Sequence, residues 1–160
     1  MLFSLYSSIG AASVLKMLYD CRDYAPEVSH QDFTYSDVDY FLDTFLNNHH
    51  NGYAYVLKDD NNQVCAFATL EKRQIQYTTC CWYVTSLFVG NSVAANDIAL
   101  CMINWIQTVL SPNTVLCVNV HPEATYCTRF WSENGFKYTP DKALYVNSIG
   151  DRLAAYVKME

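Results

Sequence analysis

The sequence predicts an α+β fold: one mixed sheet of about seven strands with helices on both faces. Three observations carry that expectation. Apolar residues recur at period two near both ends and through the middle of the chain, and at helical spacing between those stretches. A helical stretch opened by a glycine lies between two strongly apolar strands, which calls for a crossover and hence a parallel pair. The 160 residues are 51% hydrophobic and 16% charged, enough to bury a core as a single domain over residues 1–160.

In chain order, residues 2–6 alternate as a short strand would, and Val14, Leu15, Leu18 and Cys21 mark a helix over 11–24. The start lacks positive charge, and Ser4, Ser7, Ser8 and Gly10 interrupt the apolar stretch, so a cleaved secretory signal is not expected. A loop through Pro26 and His30 leads to Ser36, an N-cap with Asp39 three residues on. Val38, Phe41, Leu42, Phe45 and Leu46 form the stripe of that second helix, which ends within 47–52. Residues 53–57 and 64–70 flank Lys58-Asp59-Asp60-Asn61-Asn62 and read as a hairpin. Residues 75–89 read as one longer strand, broken by Gly90-Asn91-Ser92. A helix over 93–110 follows on Ile98, Met102, Trp105, Ile106 and Val109, and Ser111-Pro112-Asn113 stops it. Residues 115–120 are a nearly continuous apolar strand, the pattern of burial on both faces. A short helix over 125–134 ends at Gly135, and strands near 144–146 and 153–158 close the chain.

Composition narrows the function classes. A net charge of −6 with scattered cations argues against nucleic acid as a partner. No apolar run approaches the roughly 20 residues of a membrane-spanning helix. Seven cysteines in no repeating frame fit a reducing, cytoplasmic setting better than a disulfide scaffold. Metal binding is not expected: His49 and His50 are adjacent at a helix end with no third ligand at suitable spacing. Cys80 and Cys81 point to opposite faces of a strand, and Cys65, Cys101 and Cys117 read as small core residues.

Two segments resemble the GNAT superfamily of N-acyltransferases. The first is Val84-x-x-Leu87-x-Val89 with its loop and long helix. The second is Val120-x-x-x-Ala124-x-x-Cys127-x-x-Phe130-Trp131-x-x-x-Gly135-Phe136, in which Gly135-Phe136 opens a further strand. The resemblance implies a mostly antiparallel sheet with one splayed parallel pair, residues 84–89 and 115–120. It implies acetyl-CoA as cofactor and an amine as acceptor. The pantetheine arm would then run along Leu87, Phe88 and Val89, with Trp131 nearby. The pyrophosphate would meet the backbone of Ala94, Ala95, Asn96, Asp97 and Ala99, where a helix N-terminus favours an anion.

Against the usual Gln/Arg-x-x-Gly-x-Gly/Ala, the segment Ala94-Ala95-Asn96-Asp97-Ile98-Ala99 keeps only Ala99 and sets a carboxylate, Asp97, at the first glycine. The helix-side Asn of the resemblance corresponds to Ala124, its acid Tyr to Trp131, and its strand Glu falls at or near Tyr83. An indole N–H donates but is no usable acid at neutral pH. Substitute proton carriers are Tyr126, which faces away from Trp131, His121, and Tyr83, with Glu71 and Glu123 acting through water. The plainer reading of His121 is a loop histidine with a solvated ring.

Two functions follow from the resemblance. One is a divergent N-acetyltransferase, moving an acetyl group from acetyl-CoA to an amine. The other is an inactive GNAT-fold pseudoenzyme binding another protein through its acidic, Tyr-rich surface, as in phage morphogenesis or host interaction. Cys81-Trp82-Tyr83-Val84-Thr85-Ser86 is similar to the fourth strand of a short-tailed-phage morphogenesis protein, which would place the chain in a host cytoplasm or a virion. The partners implied are acyl-CoA with an amine, or a protein, and not a membrane; self-association is left open.

Overall fold

A computed structural model describes residues 2–5, 11–25, 52–75, 79–110, 115–139 and 154–158. The helix expected over 36–46, His49 and His50, the stop at 111–113 and the strand near 144–146 lie outside these residues. The elements are β1 (Leu2–Leu5), α1 (Ala11–Leu18), β2 (Cys21–Asp23), β3 (Gly52–Lys58), β4 (Val64–Ile75) and β5 (Thr79–Gly90). They continue with α2 (Ala95–Val109), β6 (Val115–Val120), α3 (Thr125–Glu133), β7 (Phe136–Tyr138) and β8 (Ala154–Lys158).

Among the described residues, eight strands form one sheet in the order β1-β3-β4-β5-β6-β8-β7, with β2 attached to β5. Every pairing among the described strands is antiparallel except β5–β6, the parallel pair that the α2 crossover demands. The mixed, mostly antiparallel sheet is therefore as expected. Two boundaries are not. The first helix stops at Leu18, and Cys21, expected on its stripe, opens β2 instead. Backbone bonds offered by β5 outweigh the weak helical preference of Asp20-Cys21-Arg22-Asp23. Ile75 ends β4 and pairs with Thr79, so the expected long strand over 75–89 begins later, across a hairpin.

The β3–β4 turn shows why its polar run makes a hairpin. Asp59 Oδ1 accepts the N–H groups of Asn61 and Gln63, both at 2.9 Å, and Asn62 takes a φ of 62°.

Side-chain alternation gives each face its own cluster. Val14, Met17 and Leu18 of α1 pack on Val56, Phe67 and Phe88. Ala99, Met102, Ile103 and Ile106 of α2 join the cluster of Leu57, Ala66, Ala68, Leu87 and Val89 on the other face. The expected α2 stripe is rotated. Val109 is 46% exposed, while Ala95, Ala99 and Ile103 are buried, their small or branched side chains letting the helix lie close to the strands. Gly135, at a φ of +86°, ends α3 and turns the chain into β7.

Candidate functional site

The parallel ladder of β5 and β6 has its last rung at Val84 and Val118, though β5 runs on to Gly90 and β6 to Val120. The two strands thus part at their C-terminal ends. A β-bulge marks the place: Thr69 pairs with Ser86 and Leu70 with Val84, leaving Thr85 as the extra residue. The hydroxyls there satisfy one another. Thr69 Oγ1 lies 2.7 Å from Thr85 Oγ1 and also bonds Ser86 Oγ, and Thr85 donates to the Thr69 carbonyl at 3.1 Å.

The β5 edge beyond the last rung is not free. Cys21, Arg22 and Asp23 of β2 pair antiparallel with Gly90, Val89 and Phe88, and the Tyr24 N–H donates to the Leu87 carbonyl at 2.8 Å. The Asn91 N–H continues the ladder to the Asp20 carbonyl at 3.2 Å. Hence Leu87, Phe88 and Val89, the residues that the resemblance aligns with a pantetheine arm, are bonded to the chain itself. They are 0%, 3% and 0% exposed.

Side chains from two helices fasten β2 in that position. Trp131 Nε1–H donates to the Tyr24 carbonyl at 2.6 Å, and the Cys127 thiol donates to the Asp23 carbonyl at 3.2 Å. The Tyr24 hydroxyl donates to Asn96 Oδ1 at 2.5 Å, and the Tyr126 hydroxyl donates to the same oxygen. The Arg22 guanidinium donates to the Tyr126 hydroxyl at 2.7 Å and lies 4.8 Å from the centre of that ring. Burial pushes the Cys21 and Cys127 thiols up to about 12, with the nearby Asp23 carboxylate adding to both. Burial also raises Tyr24, and its bond to Tyr126 reinforces the shift. Burial opposes the Arg22 charge, but bonds to Tyr24 and Tyr126 outweigh it and raise its pKa.

Of the residues read from the sequence, Leu87, Val89, Asn96, Tyr126 and Trp131 therefore come together around β2. Trp131 is fully buried, as its helix position requires, edge-on to Phe136 at 4.7 Å. Tyr126 is 42% exposed. The expected solvated ring of His121 is not found: it is 6% exposed, and its Nδ1 accepts the Glu123 N–H at 3.2 Å. That bond, with the Ala124 N–H donated to the His121 carbonyl at 2.9 Å, closes the turn between β6 and α3. Tyr83 stands apart, in a cluster with Cys81 and Cys117 on the sheet face opposite Val84, and pairs across strands with Glu71. Glu123 is exposed. Cys117 is a core residue, while Cys65 and Cys101 are only half-buried.

The phosphate end agrees with this closed geometry. Ala94 caps α2 without any side-chain bond, the methyls of Ala95 and Ala99 are buried in the core, and Asp97 sits exposed in the first turn. Its carboxylate complements the helix's own positive end and would repel a phosphate there. In this conformation the residues do not fit acetyl-CoA. A cleft of about 510 Å³ does open beside Gly90, Asn91 and Ser92, between α1 and the β3–β4 turn, but neither β6 nor α3 contributes to its lining. Among the described residues no three His, Cys, Asp or Glu side chains are placed to hold a metal, and no helix is long and apolar enough to cross a membrane. Sequence reading missed β2, Arg22 and Tyr24. The available signal was the pair of aspartates, Asp20 and Asp23, in the stretch that breaks the helix after Leu18.

Comparison with known proteins places this architecture. No family model and no curated protein sequence matches the chain. Solved structures do. An acetyltransferase from Thermus thermophilus superposes with a TM-score of 0.68 at 14% identity, over 99% of this chain and 97% of that one. An N-acetyltransferase from Staphylococcus aureus gives 0.66 at 13%, over 98% and 96%. The aminoglycoside 6'-N-acetyltransferase of Acinetobacter haemolyticus gives 0.65 at 12%, over 92% and 98%. The fold is that of the GNAT acetyltransferases.

Proposed function

We propose that this chain is an acetyltransferase-like protein of GNAT fold that is silent in acyl transfer in the conformation described, and that it works by binding another protein. One observation carries the reading: β2 holds the β5 edge that a pantetheine arm would need. A backbone edge has one set of donors and acceptors, so strand and cofactor exclude each other there. The indole of Trp131, where an acid tyrosine would stand, is committed to the Tyr24 carbonyl. Tyr19, Tyr53, Tyr126 and Tyr138, each between 42% and 52% exposed, give the acidic surface aromatic contacts of the kind that interfaces favour.

A second reading, a weak N-acetyltransferase acting on an amine, is favoured by the opening past Val84 and Val118 and by the bulge at Thr85, which a sheet closed for its own stability would not need. Calorimetric titration with acetyl-CoA separates the two. No heat up to about 1 mM ligand, a free energy weaker than about −4 kcal/mol, supports the silent reading. Micromolar binding with acetylation of a polyamine or an aminoglycoside would replace it with the second.

A further inference from the structure

We propose that β2 is a displaceable strap, a built-in competitor whose release opens the groove between β5 and β6 to the amide-bearing arm of coenzyme A. The inference deepens the silent reading and rests on it, since it names what keeps the groove shut. Three features mark β2 as an added piece and not as part of the sheet's frame. It is three residues long and lies off the continuous strand order. It is half-buried, while Leu87, Phe88 and Val89 beneath it are buried; only its continuation, Tyr24 and Ala25, enters the core. Polar contacts fasten it from outside the sheet: Arg22 to Tyr126, Tyr24 to Asn96, and the Trp131 indole to the Tyr24 carbonyl.

Those contacts come from the first turn of α2 and from both ends of α3. The donors and acceptors that β2 satisfies on β5 are regularly spaced peptide groups. Pantetheine offers two amides on a flexible chain and can replace a short strand on such an edge, as extended peptides do. The bulge and the parted strands lie directly beneath β2, so its release exposes the backbone edge of Leu87 to Gly90.

The experiment uses the full chain and two variants. Arg22→Pro removes the N–H that an antiparallel ladder directs at Val89, together with the guanidinium; Arg22→Ala removes the side chain alone. Coenzyme A and acetyl-CoA are titrated into each, and amide exchange of residues 21–25 and 87–90 is followed with and without ligand. The expected result is at least tenfold tighter binding by Arg22→Pro than by the parent, with Arg22→Ala between them, and faster exchange at Tyr24. If Arg22→Pro loses its cooperative unfolding transition, Arg22→Ala and the parent's exchange at millimolar coenzyme A decide the matter.

Exchange showing the strap released while the variants remain unable to bind overturns the strap and leaves the silent reading standing. A parent that binds at micromolar ligand with Tyr24 deprotected overturns the silent reading, and with it the strap as the element that keeps the groove shut. Binding by the parent with Tyr24 still protected overturns both.

Discussion

Replacing Trp131 by Phe tests how strongly the buried indole ties β2 to the core. The phenyl ring keeps the edge-on contacts with Phe130 and Phe136 but loses the N–H that reaches the Tyr24 carbonyl at 2.6 Å. A buried carbonyl without its donor costs about 1–3 kcal/mol. The volume lost from a side chain 0% exposed leaves a void of roughly 50 Å³, about 1 kcal/mol at about 24 cal/mol per Å³. The sum, about 2–4 kcal/mol, corresponds to roughly 4–16 °C in Tm for a domain of this size. Urea unfolding followed by circular dichroism measures the loss, and amide exchange locates it. Protection should fall most at Tyr24 and Leu87, less at Ala66 and Ala68 in the centre of the sheet. A loss under about 1 kcal/mol with unchanged exchange at Tyr24 would show that the indole bond does not hold β2, and the strap would lose its main fastening.

Asp97→Gly should cost about 1–2 kcal/mol, from the lost partner of the helix dipole and from glycine in a first turn. In the parent it should leave coenzyme A binding unchanged, whereas combined with Arg22→Pro it should tighten binding about tenfold further, which titration of the double variant reads out. Tyr24→Phe keeps the ring against Phe130 at 4.6 Å but loses the bond to Asn96, and should cost about 1 kcal/mol in urea unfolding. Gly135→Ala forces a side chain to a φ of +86° and a Cβ to 2.9 Å from Lys158 Nζ, so about 1–2 kcal/mol should be lost, mostly as strain, since the lysine end can move. Cys21 and Cys127 stay protonated in the fold up to about 12, while unfolded thiols ionise at about 8.5. The unfolded chain then holds fewer protons above about pH 9, so urea midpoints should decline from there upward, and less steeply in Cys127→Ala.

The sheet was legible where one physical signal dominated. The hairpin of β3 and the first half of β4, its Asp59 turn and the nearly continuous apolar run of β6 each specify one local structure, and each is found. Trp131 was legible as a core residue because helix geometry leaves it no route to solvent beside Phe130. What failed was decided by tertiary hydrogen bonding. Cys21-Arg22-Asp23 carries no strand alternation worth reading and becomes β2 only because the parting of β5 and β6 leaves donors and acceptors unmet. His121 looked solvated because it follows a strand next to a proline, yet it is buried and its Nδ1 accepts the Glu123 N–H. Tyr83 was drawn into the candidate site by position along the strand, and strand parity then placed it on the other face.

Two of the departures from the acyltransferase pattern, Asp97 and Trp131, look like separate losses along the sequence, but on the silent reading they belong to one arrangement. Once β2 lies on the Leu87–Gly90 edge, no phosphate needs a glycine at position 97, and a carboxylate there serves the helix better than a bare backbone. A tyrosine at position 131 would have no thiolate to protonate, whereas an indole reaches the Tyr24 carbonyl and fills the core without an exposed edge. Tyr126 and Asn96, near groups that would otherwise meet a cofactor, bond instead to each other and to the ends of β2. Each change gains from the presence of the others, so reverting any one alone should return little binding. Recovery should start with the release of β2, because the phosphate end and the position of Trp131 regain a purpose only when the edge between them is free.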